Sequence, residues 1–109
     1  MKNLKHVLDK KIADVLRNLP LNGQTEFDTH DFINAFLKLD ENNYTDLLIR
    51  HKDAKGPFKA FHGCIARYLN LLERRGVIEK VRDKTGKKIR RVSRNIKGNM
   101  TSNQVWTKH

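Results

Sequence analysis

Apolar residues recur at three- and four-residue spacing near the start of the chain. Leu4, Val7, Leu8, Ile12, Val15, Leu16 and Leu19 share one face, with Asp9, Lys10, Asp14 and Arg17 largely on the other. That period predicts an amphipathic helix over 4–19. Pro20 stops it, and Asn22-Gly23 predicts a turn. Residues 24–28 read as a short link or a small strand. Thr29 then predicts an N-cap for a helix to about Leu39, built on Phe32, Ile33, Phe36 and Leu37. Asp31 falls in its first turn, where the helix dipole favours negative charge.

Asp40-Glu41-Asn42-Asn43 interrupts the pattern, and a short helix is expected from Tyr44 to about Arg50. A polar turn, 52–56, leads to Pro57, which suits the first position of a new helix. From Pro57 to Arg75 the periodicity is clearest. Phe58, Phe61, Ile65, Tyr68, Leu69 and Leu72 cluster on one side, and Lys59, Ala60, Gly63, Arg67, Asn70 and Arg74 on the opposite side. Gly76 predicts a left-handed end to this helix. Val77–Arg82 and Lys87–Ser93 read as two strands of a hairpin turning at Asp83-Lys84-Thr85-Gly86. Residues 1–93 are thus expected as one domain, with 94–109 as a polar tail. That tail either docks through Trp106 or stays loose. The core is expected from Phe36, Phe58, Phe61, Ile65, Leu69, Leu72 and Ile78, with the first helix packed across it.

Charge changes the picture. Of 109 residues, 23 are Lys or Arg and 12 are Asp or Glu, for a net +11. Residues 1–73 hold 11 basic and 10 acidic side chains, whereas 74–109 hold 12 basic and 2 acidic. A solubility charge need not concentrate in this way, but a surface for a polyanion would. No run of 18 apolar residues is present, which argues against a membrane helix. With no apolar leader at the N-terminus, the expected compartment is the cytoplasm. The one cysteine, Cys64, cannot form an internal disulfide and is expected as a small buried hydrophobe.

Catalytic and metal chemistry find little support. Glu26, Asp28, His30 and Asp31 form an acidic cluster, but helix capping accounts for the same stretch. His62 and Cys64, two apart on a helix, point about 200° apart and cannot share an ion. There is no phosphate loop, nucleophile elbow or zinc-protease signature. The expectation is a non-enzyme without cofactor or metal.

Helical segments, then a long helix, then a Gly-closed basic hairpin form an order that resembles a winged helix-turn-helix domain. Leu72, Gly76 and Ile78 carry the resemblance, within the stretch Cys64–Val81, and it extends over about 29–93. It implies a mostly α fold with a small β-hairpin, of three to four helices followed by a basic wing. It also implies binding to double-stranded DNA, as in a small transcriptional regulator or a mobile-element accessory factor. The helix at 57–75 would then enter the major groove and the wing would lie on the phosphate backbone. Interface residues so implied are Lys55, Lys59, Gly63, Arg67, Asn70, Arg74, Lys84, Lys87, Lys88, Arg90 and Arg91. Gly63 costs roughly 1 kcal/mol in mid-helix, which close approach of the backbone to bases would justify. The link between the helices ending at Leu39 and starting at Pro57 is longer than the family's usual tight turn. We take 44–50 as the second helix of the unit, the other reading being that 40–56 is an insertion. Many relatives dimerise on paired half-sites, and the stripe of the first helix could serve the core or a homodimer interface. The alternative function is a winged-helix adaptor for a protein or structured RNA.

Overall fold

The computed structural model describes residues 3–20 and 25–108; the expected turn at Asn22-Gly23 lies outside them. Among the described residues, four helices and four strands follow in the order α1 (Leu4–Arg17), β1 (Glu26–Asp28), α2 (Thr29–Leu39), α3 (Glu41–Ile49), α4 (Pro57–Arg74), β2 (Ile78–Lys80), β3 (Arg90–Arg94) and β4 (Met100–Lys108). The fold is therefore α+β, with an antiparallel sheet larger than the expected hairpin. No helix among the described residues is long and apolar enough to cross a membrane.

Local chemistry explains the helix ends. Asp28, not Thr29, caps α2: its side chain accepts from the Asp31 N–H at 2.8 Å, and Asp31 accepts from the Asp28 N–H at 3.0 Å. This reciprocal box satisfies two backbone donors at once. Asp40 caps α3 in the same sense, accepting from the Asn43 N–H. The acidic stretch expected to interrupt structure therefore starts a helix. At the end of α4, Val77 N–H bonds Leu72 C=O and Gly76 N–H bonds Glu73 C=O, both at 3.0 Å, with Gly76 at φ +77°. That left-handed residue turns the chain directly into β2.

The largest departure from expectation lies in the last fifteen residues. Residues 100–108 are not a tail but the longest strand, and it is central. On one edge β4 pairs with β1, Phe27 opposite Trp106. On its other edge, Val105 N–H bonds Ile89 C=O and Val105 C=O accepts from Val81 N–H. Both groups of one strand residue point the same way, so β2 and β3 lie end to end along that edge. The expected hairpin between them is reduced to a projecting loop, closed by the Arg82–Lys88 bridge and by Asp83 N–H to Lys87 C=O. Its tip turns as expected, with Gly86 at φ +83° and the Asp83 carboxylate accepting from Thr85 and Lys87 N–H groups. A second hairpin, turning at 95–98, joins β3 to β4.

Burial explains why β4 wins. Val105 and Trp106 are nearly inaccessible, and the Trp106 indole N–H donates to Thr29 Oγ1 at 3.0 Å. The core contains Phe36, Phe61, Ile65, Leu69, Leu72 and Ile78 as expected, with Phe27, Tyr44, Leu47 and Trp106 added. Phe58 is only half-buried, at the edge of this core. Leu8 and Val15 of α1 are fully buried, so its stripe serves the core.

Candidate nucleic-acid interface

The helix α4 and the β3–β4 ribbon stand on either side of a groove of about 790 Å³. One wall is a face of α4: Phe58, Lys59, His62, Gly63, Ala66 and Asn70. The other wall brings Lys88, Arg90, Lys97 and the polar residues 101–104. Lys80 and the buried Trp106 lie at its base end, with the Lys80 ammonium 5.4 Å from the indole centroid. No Asp or Glu is among the described residues lining this groove, in a chain that contains 12. Lys80 is held by Glu73 from outside the groove at 3.3 Å. Lys59, Lys88 and Lys97 pair with no carboxylate among the described residues.

The expected interface residues separate into four places. Lys59, Gly63, Asn70, Lys88 and Arg90 come together in the groove. Lys55 and Arg67 meet Lys59 and Gly63 in a shallower depression on the other flank of α4. Arg74, Lys84 and Lys87 are exposed outside both, at the helix end and on the projecting loop.

Arg91 is turned away altogether. Its guanidinium bonds the Asp28 carboxylate at 2.8 Å and the Asp31 carboxylate at 2.7 Å. This corrects its expected place beside Arg90: successive strand residues face opposite sides of a sheet. Asp28 is fully buried, and such a charge needs a partner. Burial pushes the Asp28 pKa up, but the Asp31 N–H and then Arg91 outweigh it, leaving it below the ordinary carboxylate value. Burial wins at Asp31, whose pKa is raised. The acidic cluster of β1 and α2 is thus a cap and an arginine clamp.

Two histidines flank the groove. His30 Nδ1 lies 2.8 Å from Ser93 Oγ, and Nε2 lies 3.1 Å from Thr101 Oγ1, tying α2 to the ribbon. His62 Nε2 is 2.7 Å from the Tyr44 hydroxyl. Burial pushes the Tyr44 pKa up to about 12, so the phenol is protonated at neutral pH. Burial, with repulsion from His30, lowers the His62 pKa from 6.5 to about 4. At neutral pH His62 is uncharged, so it adds nothing to the cations on the groove's walls.

Gly63 sits in open space. A Cβ built there meets only Arg67 Nη1, at 4.0 Å, so no helix crossing requires this glycine. Cys64 is half-buried rather than buried, and Arg67 donates to its Sγ at 3.0 Å. The expected interface left out Lys80 and Lys97 and, of the groove's second wall, included only Lys88 and Arg90. That wall's signal was present: Asn95-Ile96-Lys97-Gly98 is a turn tetrad, and the run after it carries Thr101, Val105, Trp106 and Thr107. No family model, curated protein or solved structure matches the chain.

Proposed function

We propose that this protein is a winged-helix module that binds double-stranded DNA, as a small transcriptional regulator or a mobile-element accessory factor does. The observation that carries the reading is the acid-free groove between α4 and the ribbon, with Lys59, Lys88, Arg90 and Lys97 on its walls. Phosphate recognition needs cations that the protein has not already neutralised. The long helix closed by a glycine and running straight into a sheet with basic projecting loops supports the same reading. On it, the exposed flank of α4 with Lys59, Arg67 and Arg74 faces the bases, and the loop bearing Lys84, Lys87 and Lys88 holds the backbone.

One observation favours the adaptor reading: Gly63, Ala66 and Asn70 are only half-exposed and face the groove, so this part of the α4 face is recessed from a flat duplex surface. The two readings diverge in salt. If about five phosphates are neutralised, log K against log[salt] for a random duplex falls with a slope near roughly −4.5. Fluorescence anisotropy at several salt concentrations measures this, and a flat dependence overturns duplex binding.

A further inference from the structure

We infer that the groove between α4 and the β3–β4 ribbon takes one unpaired nucleotide, its phosphate among Lys88, Arg90 and Lys97 and its base against Phe58 and His62. The inference rests on the DNA-binding reading and narrows its substrate to a duplex with an unpaired stretch or end. Three features distinguish this groove from a cationic surface that only follows a backbone.

The first is size. A concavity of about 790 Å³ falls within the range of roughly 300–1,000 Å³ that encloses a small ligand. A base inside a double helix is stacked on both faces and cannot enter it. An unpaired one can.

Aromatic content is the second. Phe58 and His62, one turn apart on α4, both line the groove with ring centroids 5.9 Å apart in an edge arrangement. Phe58 is the one phenylalanine of α4 left half-buried, while Phe61 is sealed in the core. Aromatic rings inside a cationic groove suit a single strand, because every base offers a π-face and each stack adds roughly 1–3 kcal/mol.

Third, the wall has an unmet polar group. Asn70 Oδ1 is buried without a donor, and it is the sole such side-chain atom among the described residues. Neighbouring amides are committed: Asn103 bonds the Arg91 C=O, and Gln104 bonds the C=O groups of Ile89 and Val105. Asn70 lines the groove, so this unmet oxygen is an acceptor that an exocyclic base amine seated there would satisfy. Together these make a cationic rim, an aromatic wall and a hydrogen-bond acceptor, which is the complement of a nucleotide.

The test uses the full chain and three labelled DNAs: a blunt duplex, the same duplex with a short oligo-dA overhang, and the same duplex with an abasic overhang of equal length. The expected result is roughly tenfold tighter binding of the dA overhang than of either other DNA. Phe58→Leu, with its urea midpoint recorded beside it, brings the ratio of overhang to blunt affinity to about one. Should that variant fold poorly, the abasic comparison on the unaltered protein decides. Equal binding of dA and abasic overhangs overturns the inference and leaves duplex binding standing. Binding of the overhang without any binding of the blunt duplex supports the nucleotide site and overturns the duplex reading; no binding of any DNA overturns both. Deoxyadenosine monophosphate separates the sources of the same chemistry: if it displaces the overhang, a free nucleotide suffices, and if it does not, the strand supplies it.

Discussion

Arg90 and Arg91 are neighbours in sequence and belong to different regions of the molecule. Arg90 reaches the groove, where no carboxylate waits, and its guanidinium bonds the Ser102 side chain and C=O. Arg91 reaches the opposite side of the ribbon and is clamped by Asp28 and Asp31. One arginine is surface available to an anion, and the other joins the ribbon to the start of α2. What separates them is a single step in strand register and the positions of two acids some sixty residues away. A count of basic residues therefore overstates a binding surface by whatever part the fold has already neutralised.

Substitution at the two positions sets the regions against each other, and the stability effect is the largest expected here. Removing one partner of a fully buried ion pair costs about 3–5 kcal/mol. Arg91 is partly exposed, so Arg91→Ala should cost about 2–4 kcal/mol, read from urea denaturation. Arg90→Ala should stay within about 0.5 kcal/mol of the parent while weakening duplex binding. If instead both variants weakened DNA binding equally at unchanged stability, the division between clamp and groove would fail.

Acid should strain the groove side through His62. Its folded pKa, about 4, lies below the unfolded 6.5. Between those values the unfolded chain binds the extra proton, so stability rises with pH across this window. It is fully present above 6.5 and is lost as pH falls toward 4. A shift of this size corresponds to about 3 kcal/mol. Solvent reaching the half-buried ring reduces that to about 2 kcal/mol. Comparing urea midpoints at pH 7.5 and pH 4.5 measures it, with His62→Gln as the control that should flatten the dependence.

Within the DNA-binding reading, the outer flank of α4 and the projecting loop should also separate. Arg67 lies in the outer depression, exposed and donating to Cys64 Sγ. Arg67→Ala should cost roughly 1–3 kcal/mol on a selected cognate site and relax its specificity. Lys87→Ala, on the projecting loop, should weaken all duplexes alike and flatten the salt slope by about one unit. An unchanged sequence preference for Arg67→Ala in a random-library selection would remove this flank as the reader.

Helices were legible in the sequence because their apolar period is local. The stripes of α1, α2 and α4 predict the faces that Val15, Phe36 and Ile65 bury. Capping was only partly legible, since Asp28 and Thr29 are both good caps and only Asp28 has Asp31 three residues on. The sheet was not legible for a different reason. Residues 99–104 are all polar except Met100, and their strand is specified by partners far along the chain: β1 and α2 on one side, β3 on the other. The turn tetrad at 95–98 marks a reversal of the chain, but which strands the following segment pairs with is set non-locally. The groove inherits that blindness. Its helical wall was read from Lys59, Gly63 and Asn70, whereas Lys80 and Lys97 needed the topology.

The smallest expected effect is at Gly63, and it tests the groove's helical wall with least disturbance. Alanine exceeds glycine in mid-helix propensity by up to about 1 kcal/mol. The structure offers no steric reason to lose that gain, because the added methyl approaches only the end of the flexible Arg67 side chain. Gly63→Ala should therefore raise the urea midpoint modestly. The same methyl stands where α4 borders both the groove and the outer depression, so a nucleic-acid backbone or base edge brought close to the helix meets it. A variant that is more stable yet binds duplex less tightly would mean that glycine is kept there for approach, at a cost to the helix. A more stable variant with unchanged binding would place the DNA contact elsewhere, on the projecting loop and the ribbon. A less stable one would contradict the open space beside Gly63 and with it the assignment of this face to the groove.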